Sequence, residues 1–155
     1  MAYQYTECGL DYVWLQNGYV QEEDAEWGVV VGIEHQEALH KMIGYDVINA
    51  PEALNGAELR YLRVELGLSQ KALGSCLGYA DGQMVANWEK GVGTIPRSVD
   101  VVVRALYRER ILNNDNGISA NISGTLDMLK DNDQAAFHER RLELLEMDGQ
   151  WSNVA

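Results

Sequence analysis

Between Asn55 and Leu112 the chain punctuates itself so often that only short helices fit. Asn55-Gly56-Ala57-Glu58 carries the pattern of a capping box, with Asn55 as N-cap and Glu58 three residues on. The helix it opens places Leu59, Leu62 and Leu66 on one stripe and stops at Gly67. Ser69 is a good N-cap for a second helix, which ends at Gly78. Asp81 caps a third, Gly82 to Lys90, closed by Gly91. A fourth is predicted from about Pro96 to Leu112, with Val99, Val102, Val103 and Leu106 facing inward. Four helices joined by tight turns leave little choice but an all-helical packing.

Within it, Ala57 to Gly91 has the requirements of a helix-turn-helix, in which the second helix steadies the motif and the third enters the major groove of DNA. Gly74 supplies a small residue at the helix crossing and Gly78 a residue free to bend at the turn. Leu73, Leu77, Val85 and Trp88 supply apolar anchors. The outer face of the third helix is left with Gln83, Met84 and Asn87. Gln and Asn bond bidentately to adenine; Met84 either touches a thymine methyl or is partly buried. Lys71, Lys90 and Arg97 are candidates for phosphate contact, against the plain alternative of solvated charges. Trp88 reads as core, with its indole N–H available to a phosphate.

These residues, with LGLSQKALGSCLGY and the terminal NWEKG as the hallmarks, resemble the Cro/repressor-type (Xre) family of helix-turn-helix regulators over about residues 55–112. The resemblance implies a phosphate contact for Gln70, and a bond from Glu89 to an arginine of the first helix, Arg63 or Arg60. The turn Gly78-Tyr79-Ala80-Asp81 is one residue longer than the family's pattern. YTECGLDYVWLQNGY near the start, then NGAELRYLR and IPRSVDVVVRALY, resembles the antitoxin-like regulators related to MqsA. Some of those carry zinc on paired CxxC motifs. This chain has only Cys8 in that region, so no zinc is carried over, and binding of a toxin is an implication of the resemblance alone.

The rest of the chain reads differently. Asn17-Gly18 between Val13–Gln16 and Tyr19-Val20 has the form of a hairpin turn, and a third strand is expected over Trp27–Ile33. A helix with Leu39, Met42, Ile43 and Val47 on one face follows and stops before Pro51. After the polar break Asn113–Gly117, Ile118, Ile122, Leu126 and Leu129 fit another short helix. Arg140–Met147 and Gln150–Val154 flank Asp148-Gly149, a second candidate hairpin. The expected fold class is α+β: a small N-terminal α/β unit (1–52), an all-α helix-turn-helix domain (53–112), and a C-terminal helix and β-hairpin (113–155).

Charge fits a local contact surface on an acidic body. Residues 55–112 hold eight Lys or Arg and six acids, a balance of +2 in a chain of net charge −12, so the remainder carries −14. The two cysteines, Cys8 and Cys76, lack any CxxC and read as reduced thiols of a cytoplasmic protein. No secretory signal or membrane span is evident. His35 and His40 flank Glu37, too few ligands for a metal site, and Glu22, Glu23, Asp24 and Glu26 read as a solvated loop. No phosphate loop and no nucleophile–base arrangement occurs, so neither a cofactor nor an enzyme activity is expected. The reading is a dimeric regulator on double-stranded DNA with an inverted-repeat operator: an autoregulating repressor, with an antitoxin bound to a cognate toxin as one form of it. The alternative is an acidic protein inhibitor of a basic partner, such as a ribonuclease toxin, with DNA binding secondary.

Overall fold

The computed structural model describes residues 2–112 and 140–154. It is an α+β fold in two compact units, Met1–Ile43 with Glu139–Ala155, and Gly44–His138. The sequence expectation is a division into 1–52, 53–112 and 113–155. In the structure the first division falls inside helix α1 (Gln36–Asn49), and the C-terminal hairpin belongs with the N-terminal strands. The expected helix over Ile118–Leu129 lies outside the described residues.

The first unit is built on a sheet of β1 (Tyr3–Gln4), β2 (Val13–Leu15), β5 (Leu142–Met147) and β6 (Gln150–Asn153), in that order. β2 and β5 run parallel, with Val13 opposite Leu142 and Leu15 opposite Leu144. All four of these side chains are buried. The opposite face presents Trp14, with the Arg141 guanidinium 4.4 Å over its ring. A parallel pair needs a long crossover, and here the crossover contains the entire helical unit. Asp148-Gly149 does close the β5–β6 hairpin, both residues at positive φ.

Asn17-Gly18 does something other than turn a hairpin. β2 does not pair with β3 (Tyr19–Asp24); β3 pairs instead with β4 (Gly28–Ile33) in a separate two-stranded ribbon. The Asn17 side chain continues the parallel ladder, donating to Glu146 O (2.9 Å) and accepting from Glu146 N (2.7 Å). Gly18, at φ +77°, lies under the Trp151 ring, where a Cβ would collide. An Asn–Gly step serves both uses because it offers positive φ and a side chain that imitates a peptide. The acids Glu22, Glu23 and Asp24 accordingly lie on a strand, not in a loop.

The second unit is helical: α2 (Gly56–Glu65), α3 (Gln70–Cys76), α4 (Gln83–Glu89), α5 (Arg97–Tyr107) and a π turn over 108–112. On α5 the inward set is Val99, Val101 and Val103, whereas Val102 is 47% exposed. The expected face was displaced at this point because all positions from Val101 to Val103 are valine, which gives apolar periodicity no phase. Gly44, inside α1, is where Tyr107 packs, and an added Cβ would strike its ring and hydroxyl.

Candidate nucleic-acid interface

Each helix of the motif starts and stops where local chemistry dictates. At α2, Glu58 N donates to Asn55 Oδ1 (2.8 Å) and Asn55 N donates to Glu58 Oε1 (3.1 Å), a complete capping box. Ser69 Oγ accepts from Ala72 N at the start of α3. At the ends of α2, α3 and α4, Gly67, Gly78 and Gly91 take positive φ. In α3, Tyr79 N reaches Gly74 O and Gly78 N reaches Ser75 O, and Val92 with Gly91 repeats the pattern for α4. This is the Schellman closure, which satisfies the last carbonyls and sharply redirects the chain.

The α3–α4 junction depends on glycine in two places. A Cβ at Gly74 would collide with the Asp81 carbonyl, and one at Gly82 would lie 2.7 Å from Lys71 N. The first turn of α3 therefore lies directly against the entry to α4. Asp81 still contributes a cap, accepting from Gln83 N at 3.0 Å, but from one position outside the N-cap. The helix begins at Gln83 rather than Gly82. Leu73, Val85 and Trp88 are buried as expected, Leu77 is half-buried, and Tyr79 packs edge-on against Trp88 with ring centroids 5.6 Å apart.

One ion pair fixes α4 to α2. Arg63 Nε donates to Glu89 Oε2 (2.6 Å) and Arg63 NH2 to Glu89 Oε1 (3.0 Å), while NH1 donates to Leu68 O (2.9 Å). Of the two arginines open to the sequence reading, Arg63 makes the bond. Both partners are largely shielded, with side chains 12% and 5% exposed. Gln70 Nε2 adds a third donor to the Glu89 carboxylate, reaching Oε1 at 3.2 Å, so the amide nitrogen expected at a phosphate here braces the ion pair.

The remaining face of α4 is turned outward. Gln83 and Met84 are exposed, and Asn87 is half-buried beside them. Gln83 Nε2 donates to Asn87 Oδ1 at 2.9 Å, tying the two amides into one unit. Lys90, exposed, lies two turns beyond Gln83 and therefore near the same stripe. Lys71, also exposed, sits at the α3 entry beside Gly82. Arg97 is exposed on another element, the first turn of α5, and is not part of that stripe.

A second buried pair had no part in the sequence reading. Arg104 Nε donates to Asp100 Oδ1 at 2.5 Å, with side chains 1% and 4% exposed. Arg104 also donates to the carbonyls of Ile48 (3.2 Å), Ala50 (2.6 Å) and Glu52 (2.6 Å), and Asp100 Oδ2 accepts from Leu54 N (2.8 Å). Together they satisfy the C-terminal end of α1 and the segment after Pro51. The available signal was an acid and a base four residues apart, enclosed by Val99, Val101 and Val103. Next to them, burial together with the charge of Glu65 pushes the Tyr107 hydroxyl well above the ordinary tyrosine pKa.

In the first unit, His40 Nε2 on α1 lies 2.8 Å from the Tyr5 hydroxyl, and among the described residues no cluster of three His, Cys, Asp or Glu is placed to hold a metal ion. No helix of the described residues is long and apolar enough to cross a membrane. Compared with known proteins, the chain has no significant match to a family model, to a curated protein or to a solved structure.

Proposed function

We propose that the chain is a sequence-specific DNA-binding transcriptional regulator, an autoregulating repressor that binds an inverted repeat as a homodimer. One observation carries the reading. α4 is held by Arg63–Glu89 from behind and by Gly74 and Gly82 at its entry, and the face so held outward is the Gln83–Asn87 amide pair with Met84. Amides and a thioether are side chains suited to base edges, and Lys71 and Lys90 flank them as phosphate partners. A helix of seven residues covers few base pairs, so two half-sites about 34 Å apart are needed for useful affinity.

The test is a panel of variants on a selected operator and its single-base changes. Gln83→Ala and Asn87→Ala each remove about 1–3 kcal/mol of discrimination at one base pair per half-site. Lys71→Ala weakens every sequence equally. Affinity falls linearly in log–log plots against salt, with a slope of about −3 to −6 for the dimer. Uniform losses for the two amide variants would end the base-reading role of α4.

A second reading, a protein inhibitor of a basic partner such as a toxin, is favoured by a separate observation. The first forty residues hold eight Asp or Glu and no Lys or Arg. Such a surface steers cationic proteins. Tight binding to the product of a neighbouring gene, unchanged by Gln83→Ala, would support it.

A further inference from the structure

The β3–β4 ribbon is strongly exposed. Every residue from Val20 to Val30 is exposed, including Trp27 at 77%, Val29 at 66% and Val30 at 45%. A two-stranded ribbon is marginal in water unless more strands or a packing surface join it. Free edges are guarded by lysine, proline or inward charge, and β4, reading GVVVGI, has none of these.

Backbone polarity shows which groups await a partner. Glu34 N donates to Gly18 O at 2.8 Å, in line with the register that sets Tyr19 opposite Ile33. Antiparallel ladders alternate, so the even-numbered residues of β4 bond to β3, and the N–H and C=O of Val29, Val31 and Ile33 face the outer edge. Among the described residues no strand pairs with that edge.

We propose that this edge recognises a second copy of the chain. Two β4 strands pair antiparallel about a dyad at Val30, making one four-stranded sheet. Gly28-Val29-Val30-Val31-Gly32 reads the same in both directions. With Val30 on the dyad, glycine meets glycine and valine meets valine, as an isologous contact requires. Val29 and Val31 then exchange their outward N–H and C=O groups with their counterparts on either side of the dyad.

Charge selects this edge and closes the assembly. Pairing through β4 puts the two β3 strands three spacings apart, ~14 Å, beyond the Debye length of about 8 Å at physiological salt. Pairing through β3 would set Glu22, Glu23 and Asp24 against their like at about 5 Å. Once the β4 edges meet, those acids line both outer edges of the finished sheet and stop further addition. The inference deepens the regulator reading, on which it rests for its use but not for its geometry.

Sedimentation equilibrium of the full chain without DNA, over a concentration series, tests it. The wild type is expected to be a dimer. Val30→Lys weakens association on the order of 100-fold, because two like charges meet about 5 Å apart near the surface. Val20→Lys, on β3 and exposed to the same 45%, leaves the dimer intact. Mixing Val30→Lys with Val30→Glu restores a dimer that neither forms alone. A wild type that is monomeric throughout, or Val30→Lys associating as tightly as wild type, would overturn the proposal. Titration of the same proteins on full and half operators separates the two claims. A monomer that binds the operator removes the β4 dimer and keeps the regulator; a β4 dimer that binds no DNA does the reverse.

Discussion

The helical unit and the β3–β4 ribbon use charge in opposite ways. In the helices, two arginines are drawn inward onto carboxylates and carbonyls, and each fixes one element against another: Arg63 holds α4, and Arg104 holds the end of α1. In the ribbon, Glu22, Glu23 and Asp24 all face solvent along one strand, and none is paired with a base four residues away or across the ladder. Buried charge is costly to desolvate, so it persists where many hydrogen bonds offset that cost, and it then dictates a single geometry. Exposed charge contributes little to stability and acts instead on what may approach. The two regions thus divide the work between positioning and selection.

The sharpest way to break this contrast is to remove Arg104. Arg104→Leu leaves Asp100 charged and buried and strips three carbonyls of their donor, and a loss of about 3–5 kcal/mol is expected in urea denaturation. Adding Asp100→Leu recovers only part of it, because the carbonyls of Ile48, Ala50 and Glu52 and the Leu54 N–H stay orphaned. Full recovery would mean that the pair repels its own cost and nothing more.

Next in size is Glu89→Ala. It removes the acceptor of Arg63 and of Gln70 together, and a loss of about 1–3 kcal/mol is expected, seen as a lower Tm. An unchanged Tm would show the pair to be effectively solvated despite its shielding.

Between these two pairs lies the boundary of what sequence reasoning reached. Glu89 and Arg63 stand inside a motif whose caps and glycines are local, so their meeting was readable once the helices were placed. Asn55, Ser69, Gly74 and Gly78 were readable for the same reason, since each answers to neighbours within a few residues. Arg104 looks like Arg108 in a sequence; only the fold tells one to be buried. Gln70 was legible as a polar residue at a helix start, but its turn toward Glu89 depends on where α4 comes to lie. The partner of β2 was beyond reach, because Asn17 meets Glu146 across 129 residues, and nothing local distinguishes that use of Asn–Gly from a hairpin.

In the ribbon the expected effects are small. Glu22→Gln with Glu23→Gln changes unfolding free energy by no more than about 0.5 kcal/mol per site, as surface changes do. A larger loss would place these acids in a structural role. Smallest of all is the pH response of the ribbon's turn. Asp24 is held below the ordinary carboxylate value of 3.8 by the N–H of Glu26 and then that of Trp27. Its contribution is present above 3.8 and is lost as pH falls through the lowered value. The Glu26 and Trp27 amide resonances should follow the Asp24 carboxyl in an NMR titration, with a common midpoint below pH 3.8. A midpoint at or above 3.8 would mean that the carboxylate is free.

The parallel β2–β5 pairing has a consequence for how the chain is born. During synthesis at about 5–20 residues per second, Asn17 waits on the order of ten seconds for Glu146 to be made. The helices α2–α5 emerge complete in that interval and are free to fold, while Val13 and Leu15 remain uncovered. The ribosome therefore delivers the helical unit before the sheet, and the apolar N-terminal strand must stay uncovered until its parallel partner arrives.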